Sequence, residues 1–567
     1  MQRPWRVPVL AIIIALSVAS GVDGPIVAQS GTPEASGGPD VRAAEPWSHI
    51  RCVDVAASVG LDFVAAYGET VAGEDGGLVM QRNMGNGAAV GDYDRDGWLD
   101  VYLLGQAGHP NALYRNVEDA ATGGRRFIEV GAEAGVADLG LGRVAHFADL
   151  DGDGWLDLMV LNDVDPEGRL APSRIFRNDR DGTFIDVTRG SGFEPVGYLA
   201  GGATLADVDG DGDLDIYVAF WTQELGGTVP GEPIVGSTPG ENRLYRNDGD
   251  FRFTDITRRS GLGGISRDTF TPVFHDFDGD GDLDLYVPVD HREDLYYENR
   301  GGRFRDRSRA VGVDHVGNDM GVALADVNGD GLLDLFVTNI NDPEENFGKK
   351  PRGNTLLLSE VRRGRLAFTD VAYDYGVLDT AWGWGTAFVD IDLDGRLDLF
   401  AVQGFDEFVD IYSKSLRDAR SVLFWNDGGM PFVRTEGAGC DVEGDQRALV
   451  AFDYDRDGDV DLLISQVDLP VILLENRSDG GRSLTVKLDD RSGWGAGARI
   501  DVTVAGHTTS QLVMHGGSYL AGTPLEAVFG LGDAERADRV RVTDVRGKRV
   551  LLRDVEADQM IRVSPGR

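Results

Sequence analysis

Asp207, Asp209, Asp211 and Asp215 stand at positions 1, 3, 5 and 9 of the stretch D-V-D-G-D-G-D-L-D, with Gly212 at position 6. Alternate carboxylates on a tightly turned loop suit a hard cation that takes six to eight oxygen ligands at about 2.3–2.6 Å. The glycine permits the sharp turn, and the backbone carbonyl at position 7 supplies a further oxygen. Left without a cation, four carboxylates so close together repel strongly, which counts against a merely solvated Asp turn. The chemistry this spacing points to is Ca²⁺ coordination.

The pattern returns six more times in register. It is built from Asp92, Asp94, Asp96 and Asp100; from Asp149, Asp151, Asp153 and Asp157; and from Asp276, Asp278, Asp280 and Asp284. Further copies use Asp326, Asn328, Asp330 and Asp334; Asp390, Asp392, Asp394 and Asp398; and Asp453, Asp455, Asp457 and Asp461. Asn328 still offers an oxygen, and Arg396 at position 7 contributes only its carbonyl. Each copy looks like an EF-hand loop except that the closing acid sits at position 9 instead of 12. The flanks differ too: A-T-L-A and L-D-I-Y-V-A-F alternate and branch like strands, not helices. The loops are expected to join β-strands.

Copies recur about every 60 residues, so the chain reads as a repeat array. Each unit carries an L-Y-R-N-like strand, clearest at Asn111–Asn116 and Asn242–Asn247 and weaker from Ser173, Asp294, Asn354, Ser421 and Val471. Each also carries an F-x-D-V-T strand, at Phe184–Thr188 and Phe253–Thr257, with variants at Phe127, Phe304, Phe368 and Phe432. Four antiparallel strands per unit, seven times over, predict an all-β fold: a seven-bladed β-propeller with calcium loops over residues 49–480. Residues 481–567 read as six further strands, a small β-sandwich-like domain.

Ile50–Leu61 matches the F-x-D-V-T strand, with Cys52 in the Phe place, but arrives before the first loop. The seventh unit stops at Asn476 without such a strand. The first strand is therefore expected to complete the seventh blade. The chain has two cysteines, and this scheme brings Cys52 and Cys440 to one blade, either as a bridge or as two buried thiols. A bridge needs Cα atoms about 4.4–6.8 Å apart.

Three long excursions, Thr222–Gly240, Asn341–Gly353 and Phe405–Arg420, occupy the same place in their units and should share a face. Such loops on a rigid scaffold mark a binding face, or are tolerated insertions. The third has apolar residues near helical spacing, consistent with a short capping helix.

The chain of 567 residues is 42% hydrophobic, holds 78 glycines and carries a formal charge of −41. Seven divalent ions would bring the charge to about −27, still unsuited to nucleic acid or an anionic membrane. Residues 1–28 read as a secretory signal peptide: Arg3 and Arg6, the apolar run Val9–Val18, then cleavage after Ala19 or Ala28. The run is short for a membrane span, so no stable span is expected after cleavage. Residues 29–48 read as a disordered linker. Export predicts a secreted, periplasmic or cell-surface protein.

G-A-A-V-G-D-Y-D-R-D-G-W-L-D at Gly87–Asp100 and its copies precede G-A-G-A-R-I-D-V at Gly495–Val502, G-G-S-Y-L from Gly516 and V-F-G-L-G from Val528. Together these resemble the cartilage acidic protein family, in which FG-GAP-like/VCBS repeats precede an ASPIC/UnbV domain. The resemblance covers about Ile50–Val563. It departs at Asp544–Gly547, where D-V-R-G replaces a typical W-P-S-G turn, and a literal F-G…G-A-P repeat is absent. It implies a secreted calcium-binding protein with adhesive or matrix-like behaviour, and no catalytic residues.

The residues themselves define no catalytic constellation. No H-E-x-x-H occurs, and G-G-S-Y-L-A-G is not G-x-S-x-G. His146 and His275 precede calcium loops and suit packing better than general-base work. The expected function is a binding or adhesion scaffold for an extracellular protein or glycan, with structural calcium. The alternatives are an enzyme acting on polysaccharide or phosphoester in the propeller channel, and a structural part of a larger envelope assembly.

Overall fold

The computed structural model describes residues 45–567 except 68–81, 166–168, 196, 223–239, 265, 342–352, 363, 405–419, 490 and 565–567. The leader, most of the linker, the greater part of all three excursions and the expected capping helix lie outside the described residues.

Strands flank the Asp-rich loops. In the third unit Tyr198–Ala206 enters the loop and Asp215–Thr222 leaves it, followed by Arg243–Asn247 and Phe253–Asp255, all antiparallel in chain order. The second strand, D-I-Y-V-A-F-W-T, is rich in β-branched and aromatic residues and buried throughout, as a strand packed on both faces must be. The fourth, F-T-D, buries only its Phe. Among the described residues seven four-strand units of this kind form, one per loop, and the fold is all-β.

The seventh sheet is completed from the far end of the chain. Cys52–Asp54 pairs antiparallel with Ile472–Asn476, Cys52 opposite Asn476 and Asp54 opposite Leu474. Cys52 and Cys440 are disulfide-bonded, with Cα atoms 5.0 Å apart. The bridge, and not a pair of free thiols, is the outcome.

Neighbouring sheets meet at the turn after each fourth strand. Gly261 stands at φ 96°, and a Cβ there would lie 2.5 Å from the Phe304 carbonyl of the next sheet, so only glycine fits. Gly192 meets Phe253 and Gly439 meets Cys52 in the same way. Gly60, beyond the strand that completes the seventh sheet, meets Phe127 of the first.

Past residue 481, Glu526–Gly532, Arg482–Leu488 and Gln559–Val563 form one sheet, and His507–Val513, Ala498–Val504, Arg536–Thr543 and Arg549–Glu556 another. The two share one apolar core, with Leu484 and Phe529 from the first and Ile500 and Val540 from the second. Gln559–Val563, parallel to Arg482–Leu488, is not among the strands the pattern predicts.

The sequence also conceals how this region joins the repeats. The G-G-S-Y-L segment leaves it and enters among the lead strands of the sheets. Thr204 Oγ1 and the Leu205 N–H donate to the His515 carbonyl at 3.1 and 3.3 Å. The Thr386 N–H donates to Ser518 Oγ at 3.1 Å, and the Tyr519 hydroxyl to the Met84 carbonyl at 2.9 Å. Ala521–Gly522 then adds a parallel strand to Ala88–Gly91. Tyr519 is fully buried, with ring centroids 5.7 Å from Phe270 and 4.9 Å from Trp384.

Candidate metal centres

In all seven loops the position 6 glycine has φ between 90° and 105°, a region that favours glycine. This turns its N–H onto the position 1 carboxylate. Gly154 donates to Asp149 at 2.8 Å, Gly212 to Asp207 at 3.1 Å, Gly281 to Asp276 at 3.0 Å and Gly331 to Asp326 at 2.9 Å. Gly97, Gly395 and Gly458 do the same to Asp92, Asp390 and Asp453. The position 5 carboxylate accepts the N–H at position 7, as Asp211 does from Asp213 at 3.0 Å. The loop thus curls its acids inward. Asp149, Asp151 and Asp157 bring oxygens within 4.8 Å of one another, as do Asp207, Asp209 and Asp215; Asp276, Asp278 and Asp284; and Asp92, Asp94 and Asp96.

Position 9 has a second role that the motif does not reveal. One oxygen of Asp215 accepts the Val208 N–H at 3.0 Å, and the other the Asn247 N–H at 2.9 Å. Asn247 is the last residue of L-Y-R-N, and its side-chain amide donates to the Leu150 carbonyl in the neighbouring loop at 2.9 Å. Asn178 reaches Tyr93 in the same way, Asn476 reaches Ile391, and Asn116 of the first sheet reaches Tyr454 of the seventh. The asparagine thus ties each of these loops to its own strand and to the preceding loop, the first unit reaching back to the seventh. In the fifth sheet Ser359 takes its place on Asp334.

The position 9 carboxylates are 0–2% exposed. Desolvation is the main cause that pushes Asp284 and Asp334 at position 9, and Asp453 at position 1, up to about 7. Asp394 and Asp455 rise to about 6, through desolvation first and the neighbouring loop acids next. A divalent cation offsets both penalties. The donor set fits calcium: its side-chain donors are all oxygens, and Oδ1 of Asp326, Asp453 and Asp455 are buried without a hydrogen bond.

The loops are not equivalent, because C-terminal cations lie against some of them. Lys487 Nζ is 2.8 Å from Asp92, Arg546 pairs with Asp207, and Arg499 is 3.7 Å from Asp326. The Gly530 N–H donates to Asp390 at 3.1 Å. In the sixth loop Asp392 accepts from Trp425 Nε1 at 2.8 Å and lies 2.9 Å from His49 Nε2. His146 is buried and His275 half-buried, and burial lowers both to about 3. They stay neutral and pack, His275 edge-on to Phe277.

Residues 92–160, 149–218, 234–287 and 289–337 match the FG-GAP-like repeat family, and residues 490–567 match the ASPIC and UnbV family. Human cartilage acidic protein 1 is 26% identical over 84% of this chain and 70% of its own length. The mouse protein of that name is likewise 26% identical, over 84% of this chain and 72% of its own. A solved structure of BBS1N in complex with ARL6DN overlaps 69% of this chain and 92% of that one at 10% identity and TM-score 0.38, too weak a likeness to bear on function. The chain is a protein of FG-GAP-like repeats followed by an ASPIC and UnbV domain, similar along most of its length to cartilage acidic protein 1.

Proposed function

We propose that the chain is a secreted, calcium-stabilised binding scaffold whose seven sheets are the blades of a closed propeller. The ASPIC and UnbV region is its β-sandwich cap, docked on the calcium-loop side. The observation that carries the reading is the set of inward-turned acidic loops in a common register, each built on the same hydrogen bonds. Closure is supported by the contacts that run from sheet to sheet and return from Gly60 to Phe127 and from Asn116 to Tyr454. The second strand of each sheet starts at the acidic loop, and the cap's ion pairs to Asp92, Asp207 and Asp326 put it at that end of the blades. The end away from the cap is where an extracellular protein or glycan would bind.

An enzyme in the channel is disfavoured, because the G-G-S-Y-L segment and the fully buried Arg143 and Arg447 sit among the lead strands. Arg143 pairs with Asp163, and Arg447 with Asp445. The similarity to proteins named cartilage acidic protein supports a non-enzymatic role.

Two measurements test the reading. Calcium titration by calorimetry should show several sites, and binding to a glycan and matrix-protein array should survive only in calcium. Sites of extracellular type bind at about 10⁻⁴–10⁻³ M, so at about 1 mM calcium seven of them contribute roughly 3–10 kcal/mol. An unchanged melting curve in excess chelator rejects the calcium role. Activity on a polysaccharide or phosphoester panel rejects the scaffold in favour of the enzyme.

A further inference from the structure

At the excursion end of the fourth sheet, away from the calcium loops, three ligand-type side chains converge that no loop motif contains. Asp294 opens the strand Leu295–Asn299, and His315 and Asp319 lie in the connection to the fifth sheet. A two-stranded ribbon, Asp290–Glu293 with Val316–Asn318, holds the two segments together. Both Asp residues are 0% exposed, and the His315 side chain is 6% exposed.

His315 Nε2 lies 3.4 Å from Asp294 Oδ2 and 3.5 Å from Asp319 Oδ2. Hydrogen bonds from a ring nitrogen to oxygen run about 2.7–3.2 Å, and one N–H cannot serve both oxygens. Two bonds of about 2.1 Å meeting at a tetrahedral angle set their donor atoms about 3.4 Å apart. Ligand atoms of all three residues lie within 4.8 Å of one another.

Asp319 Oδ2 is buried and accepts no hydrogen bond, while Oδ1 accepts Asn339 Nδ2 at 3.0 Å. Asp294 Oδ1 accepts the Val289 N–H at 2.8 Å, and its Oδ2, the oxygen that faces the imidazole, also accepts the Tyr286 hydroxyl. The Val289 and Asn339 bonds hold the far oxygen of each carboxylate and so turn Oδ2 of both toward the imidazole, as supporting bonds orient metal ligands. With both carboxylates ionised and the imidazole neutral, such a cluster would carry two negative charges, which one divalent ion cancels.

We propose that Asp294, His315 and Asp319 form a binding site for a divalent transition-metal ion of zinc type. The imidazole separates this site from the oxygen-only loops, because nitrogen donors suit borderline ions and not the hard calcium ion. The ion pins the connection between the fourth and fifth sheets.

The test uses the full chain in saturating calcium. Zinc titration by calorimetry and metal analysis after gel filtration should give one equivalent of zinc that excess calcium does not displace. Cobalt loaded at the same stoichiometry should show the intense visible bands of a low-symmetry site. His315→Ala should abolish stoichiometric retention, and the near-isosteric Asp319→Asn should weaken binding at least tenfold. Asp207→Ala, in a calcium loop, should leave it unchanged. If His315→Ala does not fold, Asp319→Asn decides the matter alone. No retained zinc or cobalt, or retention unchanged in Asp319→Asn, overturns the site in favour of a proton-bridged carboxylate–imidazole cluster.

Discussion

The aspartates of one loop do different work, and substitutions should separate them. Asp211 at position 5 holds only a local turn and a metal oxygen, so Asp211→Ala should cost at most one site's share, about 0.4–1.4 kcal/mol, and only in calcium. Asp215 at position 9 is fully buried and satisfies two backbone N–H groups. Asp215→Ala strands both, which costs about 2–5 kcal/mol with or without calcium. Denaturant unfolding of the two variants in calcium and in chelator measures the difference; equal losses would reject the division of labour. The D-x-D-x-D-G register made the inward-turned acids of each loop legible from sequence. The fixing of position 9 by the L-Y-R-N asparagine was not, because it needs residues far apart in the chain to meet.

The same acids set an unusual pH response. Asp284, Asp334 and Asp453 are pushed up to about 7 in the metal-free fold, against about 3.9 for an unfolded Asp. The folded chain then holds protons that the unfolded chain releases, so stability falls as pH rises from about 4 to 7. In chelator the melting temperature should drop between about pH 5 and 7.5. Saturating calcium, which displaces those protons, should flatten or reverse the slope. A chelated protein that is most stable near pH 7.5 would contradict this.

At the scale of elements, the split seventh sheet was readable because Ile50–Leu61 carries the end of a repeat and Asn476 the unfinished beginning of one. Sequence left the cysteines open between a bridge and two thiols, since a Phe-equivalent position argues for burial either way. The 5.0 Å Cα separation and the bond itself decide it. The bridge links residues 388 apart, and closing a loop of that size in the unfolded chain stabilises by roughly 2–4 kcal/mol after usual losses. Cys440→Ser should lower the melting temperature accordingly and raise proteolysis near Cys52. The glycine that ends each F-x-D-V-T tail was visible as a letter only. Its need to clear a carbonyl of the next sheet, as Gly261 does at Phe304, appears only once the sheets are side by side.

At the scale of the molecule, sequence predicted two regions with a boundary near residue 481, and it placed the strands of the second except Gln559–Val563. It could not predict that one region reaches into the other, because G-G-S-Y-L has no period and its partners are scattered from Met84 to Thr386. Tyr519 is the centre of that contact: fully buried, its hydroxyl on the Met84 carbonyl and its ring between Phe270 and Trp384. Removing a large buried ring costs about 3–5 kcal/mol. Here the loss falls on the apolar core of the repeats and on its coupling to the cap, since Tyr519 belongs to the cluster of the repeats and not to that of the cap. In calcium the native chain should unfold in one calorimetric transition, with repeats and cap melting together. Tyr519→Ala should lower that transition and split it in two, while Tyr519→Phe, which keeps the ring and loses one hydrogen bond, should leave a single peak shifted by about 1 kcal/mol. A single, merely lowered transition in Tyr519→Ala would mean that the ion pairs of Lys487, Arg499 and Arg546 on the loops hold the two regions together without the segment.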